Sequence, residues 1–376
     1  MGTLHLLQRG LWPTHWDLLP HGLILVGVGI AVAVLIAVLG SPGDVELMVD
    51  NIHVVGGHDN VKMLRSLIPV SLLCVSAGGA LGPEAPLIQT TGTFASVLGT
   101  RLQLERNELR AITITGMASG FTVLFGAPLG AAVFALEILH RRGLEYYEAL
   151  LPAVIGSLWG YVVYVVATGA GLEPVWSFPS ALPMHAGDLG WAAGCGVVGA
   201  IVAVAFTYLA LGLRALIKAI PIGARPALGG LVLALLAWVS PYALTFGEAQ
   251  IGEITTTDLA IHVLLLGAAA KLVASAVTLA TGWRGGFIIP LFFIGAALGL
   301  AAHAWIPGTN EWVLVTALMV ACNVGVTKTP IGSVLVVTEM AGVTLLPTTI
   351  VASVVALLLT SNVGLIESQR RRERVA

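Results

Sequence analysis

Charged residues are scarce in this 376-residue chain, which has 18 basic and 20 acidic side chains, or 10% of the total. Soluble domains average about 25% charged residues, so the composition excludes an ordinary water-soluble enzyme. The net charge of −2, with no basic stripe, also excludes a nucleic-acid-binding protein. The only cysteines, Cys74, Cys195 and Cys322, lie in apolar runs, so we expect buried free thiols with no disulfide framework and no metal site.

Hydrophobic residues, by contrast, make up 57% of the chain. The apolar stretches are too long and too continuous for alternating barrel strands, so they predict an all-α polytopic membrane protein. The first stretch, from Gly22 to Leu39, is expected to be a retained helix rather than a signal peptide. Several others are shorter than the ~20 residues of a full span, which is typical of helices that end inside the membrane.

Short connections join these stretches, so we expect residues 1–376 to form a single membrane domain with no cytoplasmic regulatory domain. The tail carries four arginines between Arg370 and Arg374, and a further pair occurs at Arg141 and Arg142. Basic residues concentrate in cytoplasmic loops of membrane proteins. The sequence therefore predicts a multi-pass protein with a cytoplasmic C-terminus.

Two blocks of the sequence recur at nearly the same offset. The paired segments, which share the order of their glycine, proline or leucine residues, are 82–87 with 286–291 and 128–130 with 330–332. The offsets are 204 and 202 positions, and each proline of the second pair is followed nine residues later by a glutamate, Glu137 or Glu339. This agreement predicts two structural repeats, at approximately 20–170 and 188–366, and inverted topology is the usual arrangement in transporters.

Glu84 is the most informative single residue. Placing a carboxylate at membrane depth costs at least about 2.5 kcal/mol of free energy, so such residues are rare and usually have a function. Pro86 suits the first turn of a helix, which places Glu84 at a helix N-terminus, where free N–H groups and the helix dipole favour an anion. A carboxylate there can fill an anion site and leave it when protonated or displaced, which describes a gate. The alternative is a simple charge partner for the helix end.

The second repeat has a matching helix start between Gly286 and Pro290. Because no side chain there is a donor, anion binding would fall to the N–H groups of Phe287 and Ile288; a plain packing turn is the alternative. Ser41, after the first span, is either a hydroxyl donor to an anion or the cap of the next helix.

With these motifs the chain resembles the CLC family of chloride channels and transporters, over nearly its whole length but for the membrane domain alone. The family's Gly-Arg-Glu-Gly-Pro motif is similar to residues 82–86, and its Gly-Ile/Lys-Phe-Ala/Val-Pro motif is similar to residues 286–290. The other similar runs are 125–130 leading to Glu137, 246–250, and 330–332 leading to Glu339.

The resemblance implies a CLC-like inverted-repeat bundle of tilted and partial helices, in a homodimer with one anion pathway per subunit. It implies chloride as the substrate, no cofactor and Glu84 as the gate. A divergent prokaryotic member is expected in the lipid bilayer of a bacterial inner membrane. The anion-binding residues that the resemblance implies are Ser41, Gly82, Pro83, Glu84, Ala85, Gly286, Phe287, Ile288, Ile289 and Ile366.

The sequence also departs from the family. Residues 40–44 align with the family's Gly-Ser-Gly-Ile-Pro stretch and retain the serine, but the following glycine and the proline do not stand in their places. The second proton-carrying glutamate of family exchangers falls at Ile138, and the central tyrosine falls at Ile366. We therefore expect anion permeation with proton coupling weakened or lost. Any proton pathway would involve Glu84, Glu137 and the position of Ile138, although a structural role at the helix end is favoured for Glu137.

Other functions stay open at this stage. One is chloride/proton or fluoride/proton antiport, with nitrate as a further candidate anion; another is secondary transport of other small anions. An enzyme is disfavoured because neither Gly-x-Ser-x-Gly nor His-Glu-x-x-His spacing occurs. Lys271, Arg284 and Lys328 are expected either to snorkel to the membrane interface or to raise the positive potential of a vestibule.

Overall fold

The computed structural model of the protein describes residues 18–57, 60–141, 145–169, 176, 178 and 184–369. In these residues the chain forms fifteen α-helices, a few short 3-10 turns and no β-strand, which confirms the all-α prediction. The helices of the first half are α1 Leu18–Leu39, α2 Val45–Val54, α3 Val61–Ser76, α4 Glu84–Arg101, α5 Arg106–Phe125, α6 Pro128–Glu137 and α7 Leu150–Thr168. Those of the second half are α8 Ala186–Leu216, α9 Arg225–Val239, α10 Glu248–Thr256, α11 Ile261–Thr281, α12 Ile288–Trp305, α13 Glu311–Thr327, α14 Pro330–Ala341 and α15 Leu346–Thr360.

Seven helical stretches are long and apolar enough, by length and composition, to cross a membrane. They are Leu19–Leu39, Tyr147–Thr168, Ala186–Ala219, Ile222–Val239, Ile261–Thr281, Ile288–Trp305 and Val343–Thr360. Three apolar helices are shorter: α6 has 10 residues, α13 has 17 and α14 has 12. The predicted mixture of spanning and shorter helices is therefore present. The arginine-rich tail and Arg142, which predict the orientation, lie outside the described residues.

The chain groups into two compact units, and each unit takes segments from both sequence repeats. The first unit contains the described parts of Met1–Pro42, Lys62–Pro86 and Val204–Pro307, and the second contains those of Gly43–Val61, Leu87–Ala203 and Gly308–Ala376. The three cysteines are buried and free in these units, as predicted.

In the first unit, α1 and α9 pack with their backbones in close contact. A Cβ atom placed on Gly29 would lie 2.6 Å from the Cα of Ala227, and one placed on Gly230 would overlap the carbonyl of Leu25. Small residues at such positions let membrane helices approach closely. The indole N–H of Trp283 donates to the carbonyl oxygen of Pro226 at 2.8 Å, which joins the segment before α12 to the start of α9. The apolar core of the first unit includes Leu25 of α1, Leu233 of α9 and Trp283.

In the second unit, α6 and α14 hold equivalent positions in the two repeats and pack on each other through glycine. A Cβ atom on Gly130 of α6 would lie 2.8 Å from a side-chain carbon of Val336. Reciprocally, a Cβ atom on Gly332 of α14 would lie 2.5 Å from the Cα of Phe134. The two helices therefore make matching contacts through glycine, and the repeats themselves stay a prediction.

Replacing Gly230 by alanine is expected to destabilise the protein by about 1 to 3 kcal/mol, because the new methyl group overpacks the α1–α9 contact. Thermal unfolding in detergent measures the loss. Gly212→Ala is the matched control, since Gly212 is also inside a helix but has nothing within 4 Å of its Cβ position. Equal unfolding temperatures for the two variants would show that the close contact does not limit stability.

Candidate functional site

The two repeat motifs meet directly at their glycines. The N–H of Gly82 donates to the carbonyl oxygen of Gly286 at 2.8 Å, and the N–H of Gly286 donates to the carbonyl oxygen of Gly82 at 2.6 Å. This reciprocal bridge holds the chain just before α4 beside the chain just before α12. The two helix starts that the sequence predicted therefore lie next to each other.

Glu84 is the first residue of α4 and is fully buried. Its Oε1 accepts the backbone N–H of Ile289 at 2.7 Å, in the first turn of α12. Its Oε2 is also buried, and no described residue donates a hydrogen bond to it. The carboxylate is thus an anion held at the N-terminus of a neighbouring helix, an arrangement that free N–H groups and the helix dipole stabilise.

Among the described backbone N–H groups at the start of α12, one donates a hydrogen bond to this carboxylate. The sequence pointed to Phe287 and Ile288 as anion donors, whereas the donor to Glu84 is the next residue, Ile289. The hydrogen bonds of the described residues leave the N–H groups of Phe287 and Ile288 without an acceptor. Phe287 stands at the N-cap of α12, and its ring packs 5.9 Å from that of the buried Phe206. Two N–H groups at this helix start are consequently available to a ligand.

Space for the carboxylate exists because two residues lack a Cβ atom. A Cβ on Gly82 would overlap the Glu84 carboxylate, and a Cβ on Gly286 would lie 2.7 Å from Oε2. Pro83 and Ala85 flank Glu84 and are both partly exposed. The glycines of the two motifs are therefore required by the close approach of the acidic side chain.

Ser275 of α11 and Thr245, in the turn before α10, fix the loop that leads into α4. The hydroxyl of Ser275 donates to the carbonyl oxygen of Ala80 at 3.0 Å. The backbone N–H of Thr245 donates to the carbonyl oxygen of Gly78 at 2.9 Å. Lys271 of α11 stabilises the backbone at Thr245, because its Nζ donates to the carbonyl oxygens of Leu244 and Thr245, at 2.6 Å each.

The snorkelling expectation is wrong for Lys271 and Lys328. Both side chains are buried, with exposed fractions of 0% and 2%. Thr245 has a positive φ of 59°, and the ammonium group of Lys271 binds the carbonyl oxygens of this unusual turn. Lys328, also at positive φ, caps the end of α13 and binds Thr360 at the end of α15. A cation at carbonyl groups of helix ends is favourable, and no local pattern in the sequence reveals such distant partners.

Glu137 and Glu339 form a reciprocal pair of helix caps. Glu137 accepts the N–H of Gly332 at 2.7 Å and that of Ile331 at 3.1 Å, at the start of α14. Glu339 accepts the N–H of Gly130 at 2.7 Å, at the start of α6. This geometry agrees with the favoured structural interpretation, in which the two glutamates are interhelical hydrogen-bond partners. Proton transport by Glu137 stays a prediction.

Ile138 and Ile366 are both buried. Ile138 is the C-cap of α6, and its carbonyl oxygen accepts a hydrogen bond at 2.9 Å from Nε2 of Gln369. The same Nε2 donates to the carbonyl oxygen of Thr327 at 2.7 Å. Gln369 therefore fixes the segment after Ile366 to the ends of α6 and α13. Sequence reasoning missed this residue because its partners, the carbonyl oxygens of Ile138 and Thr327, are distant along the chain.

Ser41 lies at an exposed position in the loop between α1 and α2. Asp44 occupies the N-cap position of α2, so the interpretation of Ser41 as a helix cap is wrong. Its role as an anion ligand stays a prediction.

The sequence matches the family model described as "Voltage gated chloride channel" over residues 27–361. It is 28% identical over 372 residues to a chloride/fluoride channel protein of Pseudomonas syringae pv. tomato, covering 92% of this chain and 78% of that relative. It is 27% identical over 310 residues to the voltage-gated ClC-type chloride channel ClcB of Citrobacter koseri, covering 80% of this chain and 72% of that relative.

Solved structures share the fold. A CLC-type fluoride/proton antiporter superposes with a TM-score of 0.77 at 21% identity, over 96% of this chain and 100% of that structure. A slow cyanobacterial Cl−/H+ antiporter superposes with a TM-score of 0.84 at 17% identity, over 96% and 89% of the two chains. At these identities the likeness establishes the fold.

Replacing Glu137 by alanine is expected to destabilise the protein by about 1 to 3 kcal/mol, because it leaves buried N–H groups at the start of α14 without an acceptor. Glu137→Gln retains one amide oxygen and should lose less. Chemical denaturation in detergent measures both, with the exposed Glu367→Ala as the control. A Glu137→Ala variant as stable as the control would contradict the capping role.

Proposed function

Because this chain belongs to the voltage-gated chloride channel family, we propose that it carries small inorganic anions, chloride first, through a pathway in each subunit gated by Glu84. One observation carries the proposal. The Glu84 carboxylate is buried at the start of α12, with one oxygen bound to the N–H of Ile289 and the other without a partner in the part of the chain that the structure describes. A negatively charged side chain thus occupies a position suited to an anion.

The surrounding backbone supports the same assignment. When the carboxylate leaves, the N–H group of Ile289 joins those of Phe287 and Ile288 at one helix start, next to Gly286. Backbone dipoles of this kind replace the hydration shell of an ion without a fixed countercharge. A single charged side chain that competes for these donors gives a gate, because the anion and the carboxylate exclude each other.

Weak or absent proton coupling is the second part of the proposal. Ile138 cannot carry a proton, and Ile366 offers no hydroxyl group to an ion. Glu137, the nearest acidic residue in sequence, has both oxygens engaged by backbone N–H groups of α14. A carboxylate that holds a helix end has little freedom to load and release protons.

The alternative is proton-coupled antiport of chloride or fluoride. The Pseudomonas relative is named for both anions, and residues 40–44 depart from the family's serine motif, so fluoride is the first competitor to chloride. Transport of other small anions is a further alternative.

The assembly and location form part of the same proposal. We expect a homodimer in a bacterial inner membrane with a cytoplasmic C-terminus, since the resemblance implies the first two and the arginines of the tail imply the last. Helix α7 carries exposed apolar side chains, among them Leu151, Ile155, Leu158 and Val162, which suit lipid or a second subunit.

Glu84→Gln is expected to conduct chloride without the pH response of the wild type. In the wild type, flux should rise from about pH 7.5 to pH 4.5, because a neutral carboxyl group no longer competes with anions for the N–H groups. Chloride efflux from KCl-loaded liposomes with valinomycin measures this, and Glu84→Ala should behave alike. Glu105→Gln, an exposed glutamate at the start of α5, is the control. An unchanged pH response in Glu84→Gln would show that Glu84 is not the gate.

Simultaneous recording of chloride efflux and external pH tests the coupling. We expect chloride efflux with no proportional proton uptake, because both isoleucines lack the required group. Proton movement in fixed proportion to chloride would establish an exchanger and contradict the proposal. Repeating the measurement with fluoride distinguishes the two anions, and flux of fluoride alone would replace chloride as the substrate.

A further inference from the structure

Lys271 is a fully buried cation in the middle of α11, a helix that is long and apolar enough to span a membrane. Its Nζ donates to the carbonyl oxygens of Leu244 and Thr245, at 2.6 Å each, and to Oε1 of Gln250 at 2.9 Å. All three acceptors are neutral groups. Ionisable side chains at membrane depth cost free energy and usually have a function, so a buried ammonium group held by neutral oxygens points to a role beyond packing.

The segment that Lys271 holds contains an unusual backbone conformation. The three hydrogen bonds use all three hydrogens of the ammonium group, so it has no free donor for an anion and acts through this segment. Thr245 has a positive φ of 59°, which is a genuine outlier for a β-branched residue. Such strain persists only where surrounding contacts enforce it, and it is common at functional sites. The ammonium group enforces it here by binding two successive carbonyl oxygens.

Residues 244–247, which we call the Thr245 turn, connect Lys271 to the chain that carries the Glu84 carboxylate. The N–H of Thr245 donates to the carbonyl oxygen of Gly78 at 2.9 Å, in the loop that leads into α4. The hydroxyl of Ser275, one helical turn after Lys271 on α11, holds the same loop at 3.0 Å. The loop that ends at Glu84 is therefore fixed twice from one part of α11, once directly and once through the turn that Lys271 holds.

Lys271 also contacts the helix whose N–H binds the carboxylate. Its Nζ lies 5.1 Å from the ring centroid of Phe293, within cation–π distance. Phe293 stands one turn after Ile289 on α12, and Ile289 donates to Glu84. The Thr245 turn packs on the same side chain, because a Cβ atom on Gly247 would lie 2.9 Å from the Cβ of Phe293. One buried cation thus contacts both the turn that holds the carboxylate's loop and the helix that supplies its donor.

We propose that Lys271 is a positioning residue for the Glu84 gate, which acts through the Thr245 turn and Phe293 to align the carboxylate with the N–H of Ile289. The inference deepens the proposed function and rests on it for the meaning of the gate. Without the cation, the turn relaxes and the loop into α4 loses one of its two anchors. The charged carboxylate is then held less firmly at α12 and excludes anions less well.

Chloride flux of the full-length protein in liposomes at about pH 4.5 and about pH 7.5 tests this role. Lys271→Met should raise the flux at the higher pH, so that the ratio of the two fluxes falls at least about threefold, the equivalent of one ordinary hydrogen bond. Lys271→Arg keeps the charge and should retain most of the ratio. Tyr242→Phe is the matched control, because it removes a hydroxyl bond to Glu253 beside the same turn and keeps the ring on Phe293. Its ratio should equal that of the wild type.

The Glu84→Gln background separates positioning from other roles of the charge. There Lys271→Met should leave the flux within about twofold, because the gate through which it acts is absent. An equal change of flux in both backgrounds would mean that Lys271 attracts anions or only stabilises the fold, and the proposal would be wrong. An unchanged ratio in Lys271→Met would also overturn it.

A second variant tests the part of the turn. Thr245→Gly, added to Lys271→Met, should restore part of the ratio, because glycine adopts a positive φ without strain. No restoration would refute the action through the turn. Should Lys271→Met not fold, Lys271→Gln takes its place in both backgrounds, since it keeps an amide donor for the turn but lacks the charge, and the same outcomes apply.

A spectroscopic readout keeps this inference distinct from the proposed gate. If the wild-type flux shows no response to pH that depends on Glu84, the gate fails. The infrared band of the Glu84 carboxyl group, assigned by its absence in Glu84→Gln, still reports the surroundings of that group. A shift of the band in Lys271→Met but not in Lys271→Arg would support positioning, and an unshifted band in Lys271→Met would refute it.

Discussion

Buried helix N-termini carry N–H groups that must find acceptors, because lipid and a packed core offer no water to bind them. The protein meets this constraint with carboxylates from other helices. Glu137 binds two N–H groups of α14, and Glu339 binds one of α6 in return. Glu84 meets the same need at α12 with a single bond, and its buried second oxygen has no partner among the described residues. Glu339 also accepts one such bond but is only half-buried, so a buried carboxylate oxygen without a partner distinguishes Glu84 from both caps.

The same constraint explains the glycines of the repeats. A carboxylate reaches the backbone of another helix only where the two chains approach closely, and Gly82 and Gly286 permit this by bonding to each other at 2.8 and 2.6 Å. Gly130 and Gly332 permit it at the equivalent pair α6 and α14. Close approach through glycine therefore occurs at both of the paired sequence segments. The position of the acidic residue differs between the two pairs. Glu84 stands before Pro86 in the sequence, whereas Glu137 stands after Pro128.

The helices whose sequence signals are local could be predicted from the sequence. Pro86 and the apolar run after it predicted a helix start, and α4 begins at Glu84. The partners of the buried cations could not be predicted from the sequence. The carbonyl oxygens that Lys271 binds are 27 and 26 residues away from it. Lys328 binds the carbonyl oxygen of Thr360, which belongs to another helix. Ile289, rather than Phe287 or Ile288, binds Glu84 because the register of the glycine bridge sets which N–H faces the carboxylate. No pattern along the chain encodes that register.

Isoleucines stand where the resemblance places a proton carrier and a hydroxyl group, at Ile138 and Ile366. In the same unit, Arg141 and Lys328 place positive charge around Thr360 to Gly364. Positive charge along a narrow pathway admits anions and raises the electrostatic barrier to protons. Under the proposed function, the isoleucines and the two cations would therefore together favour the passage of anions over that of protons.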